Sequence, residues 1–162
     1  MTEVQQAVTG YDGKHTDDLA QISGLNDSDI EILQEYFNSD EKDQDAATWL
    51  IRYNVNNKKL HLSKQQVLSI LANAMSLTSW GAILHIAQML HEVDMDSDVA
   101  ERAVPYLRKH INHDKPMVLA WSISALAQCA RIDTSLEEEV ESLVTKHADH
   151  PAAAVRARLR KI

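Results

Sequence analysis

Sliding the chain against itself by 37 residues lays one helical stripe on another. Asp96, Ser97, Val99, Glu101, Ala103, Tyr106, Leu107, Lys109, His110 and His113 fall on Asp133, Thr134, Leu136, Glu138, Val140, Leu143, Val144, Lys146, His147 and His150. The apolar positions keep their phase, and the same shift sets Ala82, Ile86 and Met89 on Leu119, Ile123 and Leu126 one helix earlier. A single helical hairpin cannot bury both of its apolar stripes, so each pair needs the next one to cover it, and about three make a stable stack. Removing two residues from the following loop aligns Asp114-Lys115-Pro116 with Asp149-His150-Pro151, which predicts a further unit near the C-terminus with a short helix from Pro151.

Composition agrees with helix throughout. Four Gly, three Pro and one Phe, with few alternating Val, Ile or Thr clusters, leave little material for hairpins or strands. A chain of 162 residues is about one domain and buries roughly two thirds of its unfolded surface without staples. The single Cys129 excludes an internal disulfide and a zinc site built on thiolates. The N-terminus has neither the basic stretch nor the apolar core of a signal peptide. The longest mostly apolar run, Met117 to Ala130, is broken by Ser122, Ser124 and Gln128 and is shorter than the ~20 residues that cross a bilayer. A cytoplasmic protein without membrane contact is the expectation.

The net charge of -8 is unevenly placed, with twelve acids against five bases in residues 1–60 and twelve against eleven in residues 61–162. Nucleic-acid binding needs a basic face that displaces counterions from phosphate, so the overall sign weighs against it. Residues 1–15 are polar, contain Gly10 and Gly13 and show no stripe, and are expected to be a flexible tail. Residues 16–162 are expected to form a single helical-repeat domain with units at 41–77, 78–113 and 114–150 and a half unit at 151–162. Helix starts are marked by Asp27/Ser28 with Glu31, by Ser63 with Gln66 and by Thr134 with Glu137. Val55 to Leu62 reads as a loop, and Pro105 falls inside a helix, where it removes a hydrogen bond and is expected to kink the chain.

Residues 149–159, Asp149-His150-Pro151-Ala152-Ala153-Ala154-Val155-Arg156-Ala157-Arg158-Leu159, resemble the first-helix motif of the HEAT-repeat family, in which a helix begins after an Asp/Pro turn and a second packs antiparallel to it. The resemblance covers roughly residues 41–162 and is carried mainly by 79–162. It implies an all-α, right-handed α-solenoid of antiparallel helix pairs, with about three repeats and the N-terminal helices as caps. The Val155-Arg156 pair stands where the preceding unit has Ala120-Trp121, so an armadillo-like or other helical-hairpin repeat, or a compact bundle, remains an alternative at this point.

Catalysis has no positive signal: no Gly-rich phosphate loop, no local Ser/His/Asp set, and a Cys129 that reads as a buried inert thiol. No enzyme activity and no cofactor or metal are expected. His110-x-x-His113 and His147-x-x-His150 each close a second helix, where a cation meets the negative helix end; that role fits better than metal ligation, because equivalent residues on helices about 8–10 Å apart cannot share one ion. His85 reads as a packing or surface residue, and Trp121, one position off its stripe, as core or as an anchor between units.

In HEAT-like stacks the second helices line the concave side, which turns Glu101 with Glu138 and Lys109 with Lys146 into rows flanked by Arg102, Arg108, Glu139 and Ser142. The function expected is a non-catalytic scaffold or adaptor binding a protein or peptide on this face through Glu101, Arg102, Arg108, Lys109, Glu138 and Lys146. The alternative is nucleic-acid binding or repair through the basic cluster Arg156, Arg158, Arg160 and Lys161, and a further one is an accessory role beside a small-molecule enzyme.

Overall fold

The side chain of Asp40 accepts the amide of Asp43 at 2.9 Å and starts the longest helix of the chain, α4 (Glu41–Asn57). In the computed structural model, which describes Met1 to Ile162, every regular element is helical. The chain divides into two compact units, Met1–Val93 and Asp94–Ile162. Their boundary falls inside the expected repeat unit 78–113 rather than at one of its ends.

In the first unit α4 is packed by α1 (Glu3–Thr9), α2 (Asp17–Ala20), α3 (Asp27–Glu35) and α6 (Trp80–Met89), while α5 (Lys64–Ala74) lies on α3 and α6. Being covered from several sides, α4 buries eight residues, among them Ala47, Leu50 and Ile51 but also the polar Gln44, Thr48 and Asn54. Phe37, Ile30, Leu33 and Ile86 fill the spaces around it and are almost fully buried, each contributing about 1.5–3 kcal/mol by removal from water.

Three sequence expectations are corrected here. The expected tail carries α1: Thr2 and Gln5 form a reciprocal capping box, and Val4 and Val8 at i, i+4 are buried against α3 and α4. Two apolar residues are too few for a visible stripe, yet they suffice once a neighbour covers them. The start of α3 is capped by Asn26 with Asp29, one residue ahead of the expected Asp27/Ser28 with Glu31. The loop expected from Val55 begins later, because α4 runs to Asn57; Lys59 then takes a left-handed conformation, φ 55°, which lets the Leu60 amide return to the Asn54 carbonyl at 2.9 Å. The Ser63–Gln66 capping box is formed as expected.

A polar seam joins α4 to the start of α6. Asp45 accepts a short hydrogen bond from the Ser79 hydroxyl, and its carboxyl is pushed up by burial. Gly81 sits where a Cβ would come 2.8 Å from an Asp45 carboxylate oxygen. Gly81→Ala is therefore expected to cost about 1 kcal/mol net, since the displaced charge-assisted bond outweighs the helix preference for Ala over Gly. Asp45→Ala in the same chain should restore the usual benefit of alanine, measurable as a double-mutant cycle in urea unfolding.

In the second unit α8 (Pro116–Ala130) is flanked by α7 (Ser97–His110), α9 (Glu137–His147) and α10 (Ala153–Leu159), and α9 also meets α10. Contact on three sides explains why ten residues of α8 are buried, including Ser122, Ser124 and Cys129. The 37-residue register holds through this unit. Ser97–His110 is matched by the span Thr134–His147, built as a short 3-10 turn at Thr134–Leu136 running into α9. The start of α8 at Pro116 is matched by the start of α10 at Ala153.

The two-residue deletion inferred for the last loop is therefore corrected. His113 Nδ1 accepts the amide of Lys115 at 3.0 Å and His150 Nδ1 accepts the amide of Ala152 at 3.0 Å, so each imidazole sets the start of the helix after it. Val155 takes the place of Val118, both fully buried, and Pro151 lies outside α10 where Pro116 begins α8. The expected Thr134–Glu137 box is replaced by Asp133, which accepts from the Ser135 amide at 3.1 Å.

Two of the histidines, His110 and His147, are disfavoured as the cations expected at helix ends. His110, only 5 % exposed and edge-on to buried Tyr106, is pushed down to about 4 by burial, Lys109 and His113. His147 is lowered by the same kinds of neighbour. The ring pairs His110–His113 and His147–His150 lie 6.1 and 5.9 Å apart, one device used twice.

Candidate docking groove

Helix α7 has two faces of different fate. Val99, Ala103, Tyr106, Leu107 and His110, at helical spacing, are buried. A second stripe one position round, Glu101, Val104, Pro105 and Arg108 with the buried Ala100 at its edge, lines an open groove whose far wall is the segment Ile132 to Leu136. The groove has a volume of about 690 Å³. Its apolar lining comes from Val104, Pro105, Ile132 and Leu136, and Ile132 stays 45 % exposed. An isoleucine left half in water beside a concave apolar wall is the kind of surface that a partner covers.

Charge frames this lining. Arg108 donates to Glu139 with both arms of its guanidinium, at 3.1 Å from Nε and 2.7 Å from the terminal nitrogen, which ties α7 to α9 beside the groove. The bond holds the Glu139 carboxyl below its ordinary range and raises Arg108. Both side chains are substantially exposed, so the pair is a positional tie and contributes below about 1 kcal/mol. Glu101 and Asp133 supply two more carboxylates.

Of the six residues expected to bind a partner, Glu101 and Arg108 line the groove, and Arg108 is joined to Glu139. Arg102 and Lys109 follow them on α7, rotated by about 100°, and with Glu138 and Lys146 on α9 they are exposed outside the groove lining. The groove residues that the sequence did not single out are Ala100, Val104, Ile132 and Ser135, and Asp133 and Leu136 entered only as positions of the repeat. Pro105 was legible only as a helix irregularity, and a lone isoleucine after α8 carries no periodic signal.

The basic C-terminal cluster is divided by its packing. The Arg156 guanidinium donates to the carbonyls of His150, at 2.6 Å, and Pro151, at 3.0 Å, while Arg158 lies 3.7 Å from the centre of the Trp121 ring. These two side chains hold the turn before α10 and cover the α8 tryptophan, a cation–π contact. Arg160 and Lys161 are exposed beyond them. Cys129 is fully buried and its thiol is pushed up to about 11 by that burial, which removes the thiolate a nucleophile needs. No helix is long and apolar enough to cross a membrane, and no group of three or more His, Cys, Asp or Glu is placed to hold a metal ion.

Compared with protein-family models, curated proteins and solved structures, the chain matches none of them.

Proposed function

We propose that the 94–162 unit is a non-catalytic docking module, the working part of an adaptor that holds a segment of another protein in the groove between α7 and the Ile132–Leu136 wall. The frame fits a HEAT-like, right-handed solenoid of antiparallel helix pairs, in which α7 and α9 are successive second helices. The observation that carries the reading is the exposed Ile132 facing an apolar stripe of α7 that no helix of its own unit fills. The inert thiol and the engagement of Arg156 and Arg158 in local packing favour protein docking over a nucleophilic enzyme or a phosphate-binding surface.

A photo-crosslinking residue placed at Ile132 tests this in cells that express the protein. It is expected to give a discrete protein adduct that disappears when Val104→Asp puts a charge on the groove floor, while circular dichroism stays that of the parent. The same probe at Met75, an exposed methionine of the first unit, is the control. An adduct at Ile132 that survives Val104→Asp, or equal labelling at Met75, counts against the groove.

A further inference from the structure

The groove lining carries two carboxylates, Glu101 and Asp133, against one cation, and Pro105 adds a backbone acceptor to them. A proline inside a helix has no N–H to return to the carbonyl four residues back, and for Pro105 that carbonyl belongs to Glu101, on the stripe lining the groove. The backbone there is deprived of its ladder donor, beside the carboxylate of the same residue. Across the groove, one oxygen of Asp133 takes the Ser135 amide at 3.1 Å and the Ser135 hydroxyl at 2.6 Å, and its second oxygen is engaged in neither bond. Arg108, the one cation of the lining, is committed to Glu139. Glu101 lies one helical turn from Val104 and Pro105, so its acceptors and the apolar lining are neighbours on one face.

We propose that the groove takes a segment in which lysine or arginine stands beside a bulky aliphatic residue. The aliphatic side chain packs on Val104, Pro105, Ile132 and Leu136, and the cation donates to the Glu101 carboxylate, the Glu101 carbonyl and Asp133. This rests on the docking reading above and adds the chemistry of the occupant. A segment carrying glutamate or aspartate instead brings a third carboxylate to Glu101 and Asp133 with no uncommitted cation among the lining residues to meet it. Charge-assisted bonds from a lysine or arginine are about twice as strong as neutral ones and are short-ranged, so they select the residue next to the apolar anchor. Pro105 is then a part of the recognition surface, and its cost to the helix is a Glu101 carbonyl without its ladder donor.

The test uses the full ¹⁵N-labelled chain and two blocked eight-residue peptides, one alternating leucine with lysine and one alternating leucine with glutamate. The lysine peptide is expected to move the amide resonances of residues 97–108 and 132–136. Glu101→Lys should weaken it about tenfold, the size of one lost charge-assisted contact and its reversal. Pro105→Ala restores the ladder donor, so it should weaken binding roughly threefold while raising the thermal midpoint, a combination that a folding defect cannot produce. Glu35→Lys on α3 makes the same change in net charge outside the groove and should leave the affinity unchanged. Equal weakening by Glu35→Lys, or tighter binding of the glutamate peptide, overturns the proposed chemistry. Docking itself survives those results if the Ile132 adduct forms and is lost with Val104→Asp. Failure of both peptides to move these resonances, together with no such adduct, overturns both.

Discussion

Gln44→Ala is expected to cost the first unit about 2–4 kcal/mol, a large part of the stability of a domain this size. The side chain is 2 % exposed and works in both directions. Its amide nitrogen donates to the Ser39 carbonyl at 3.0 Å and the Thr78 hydroxyl at 3.2 Å, and its oxygen accepts the amides of Thr78 and Ser79, each at 3.0 Å. Those two amides begin the turn into α6, and truncation leaves them without an acceptor in a place that water enters poorly. An unmade buried hydrogen bond costs more than a made one contributes, so the loss exceeds what the removed methylene and amide would suggest. Gln44→Glu, which keeps an acceptor oxygen, should recover part of the loss. Urea unfolding followed by circular dichroism measures both; a change below 1 kcal/mol for Gln44→Ala shows that the turn satisfies itself otherwise.

The second large effect is acid destabilisation through two histidines. Burial pushes His85 down to about 3, with Arg52 adding to it, and His110 down to about 4. His85 is bonded to the Thr48 hydroxyl at 2.9 Å, and His110 is packed on Tyr106. Both folded-state values lie below the ordinary histidine value of about 6.5, so the unfolded chain takes up the proton first. The stability is complete above about pH 6.5, falls as pH drops toward 4, and levels off below the folded-state values. Each histidine contributes a slope of at most about 1.4 kcal/mol per pH unit in this window, hence roughly 2–3 kcal/mol at pH 4.5. His110→Leu should flatten the profile of the second unit and His85→Leu that of the first. Imidazole proton resonances that titrate near 6.5 in the folded protein would show that neither ring is held neutral by its surroundings.

Much of the second unit was legible because its signals are periodic and repeated. Val99, Ala103 and Leu107 recur as Leu136, Val140 and Val144, and the histidines recur with them. The first unit was read less well. Thr2 and Gln5 form a capping box that the sequence displayed openly, but Val4 and Val8 gave no extended stripe, so the helix was taken for a tail. The last loop was misaligned for a related reason. Matching Pro116 to Pro151 follows residue identity, whereas the start of α10 is set by the His150 imidazole accepting the Ala152 amide. Of the candidate partner-binding residues, Glu101 and Arg108 line the groove, and the apolar half of that groove was not foreseen.

The sequence by itself determined the helical character of this protein and the phase of its 37-residue period, since both follow from local preferences and from apolar residues recurring once per helical turn. Only the tertiary structure decided which stripes are covered. Val99 and Val104 are both valines of one helix, but α7 buries the first and leaves the second half-buried at the groove, because coverage depends on where neighbouring helices stop. The same cause explains the helix-end histidines: how far His110 and His147 are lowered depends on how much protein surrounds each ring, and that quantity has no counterpart in the order of residues.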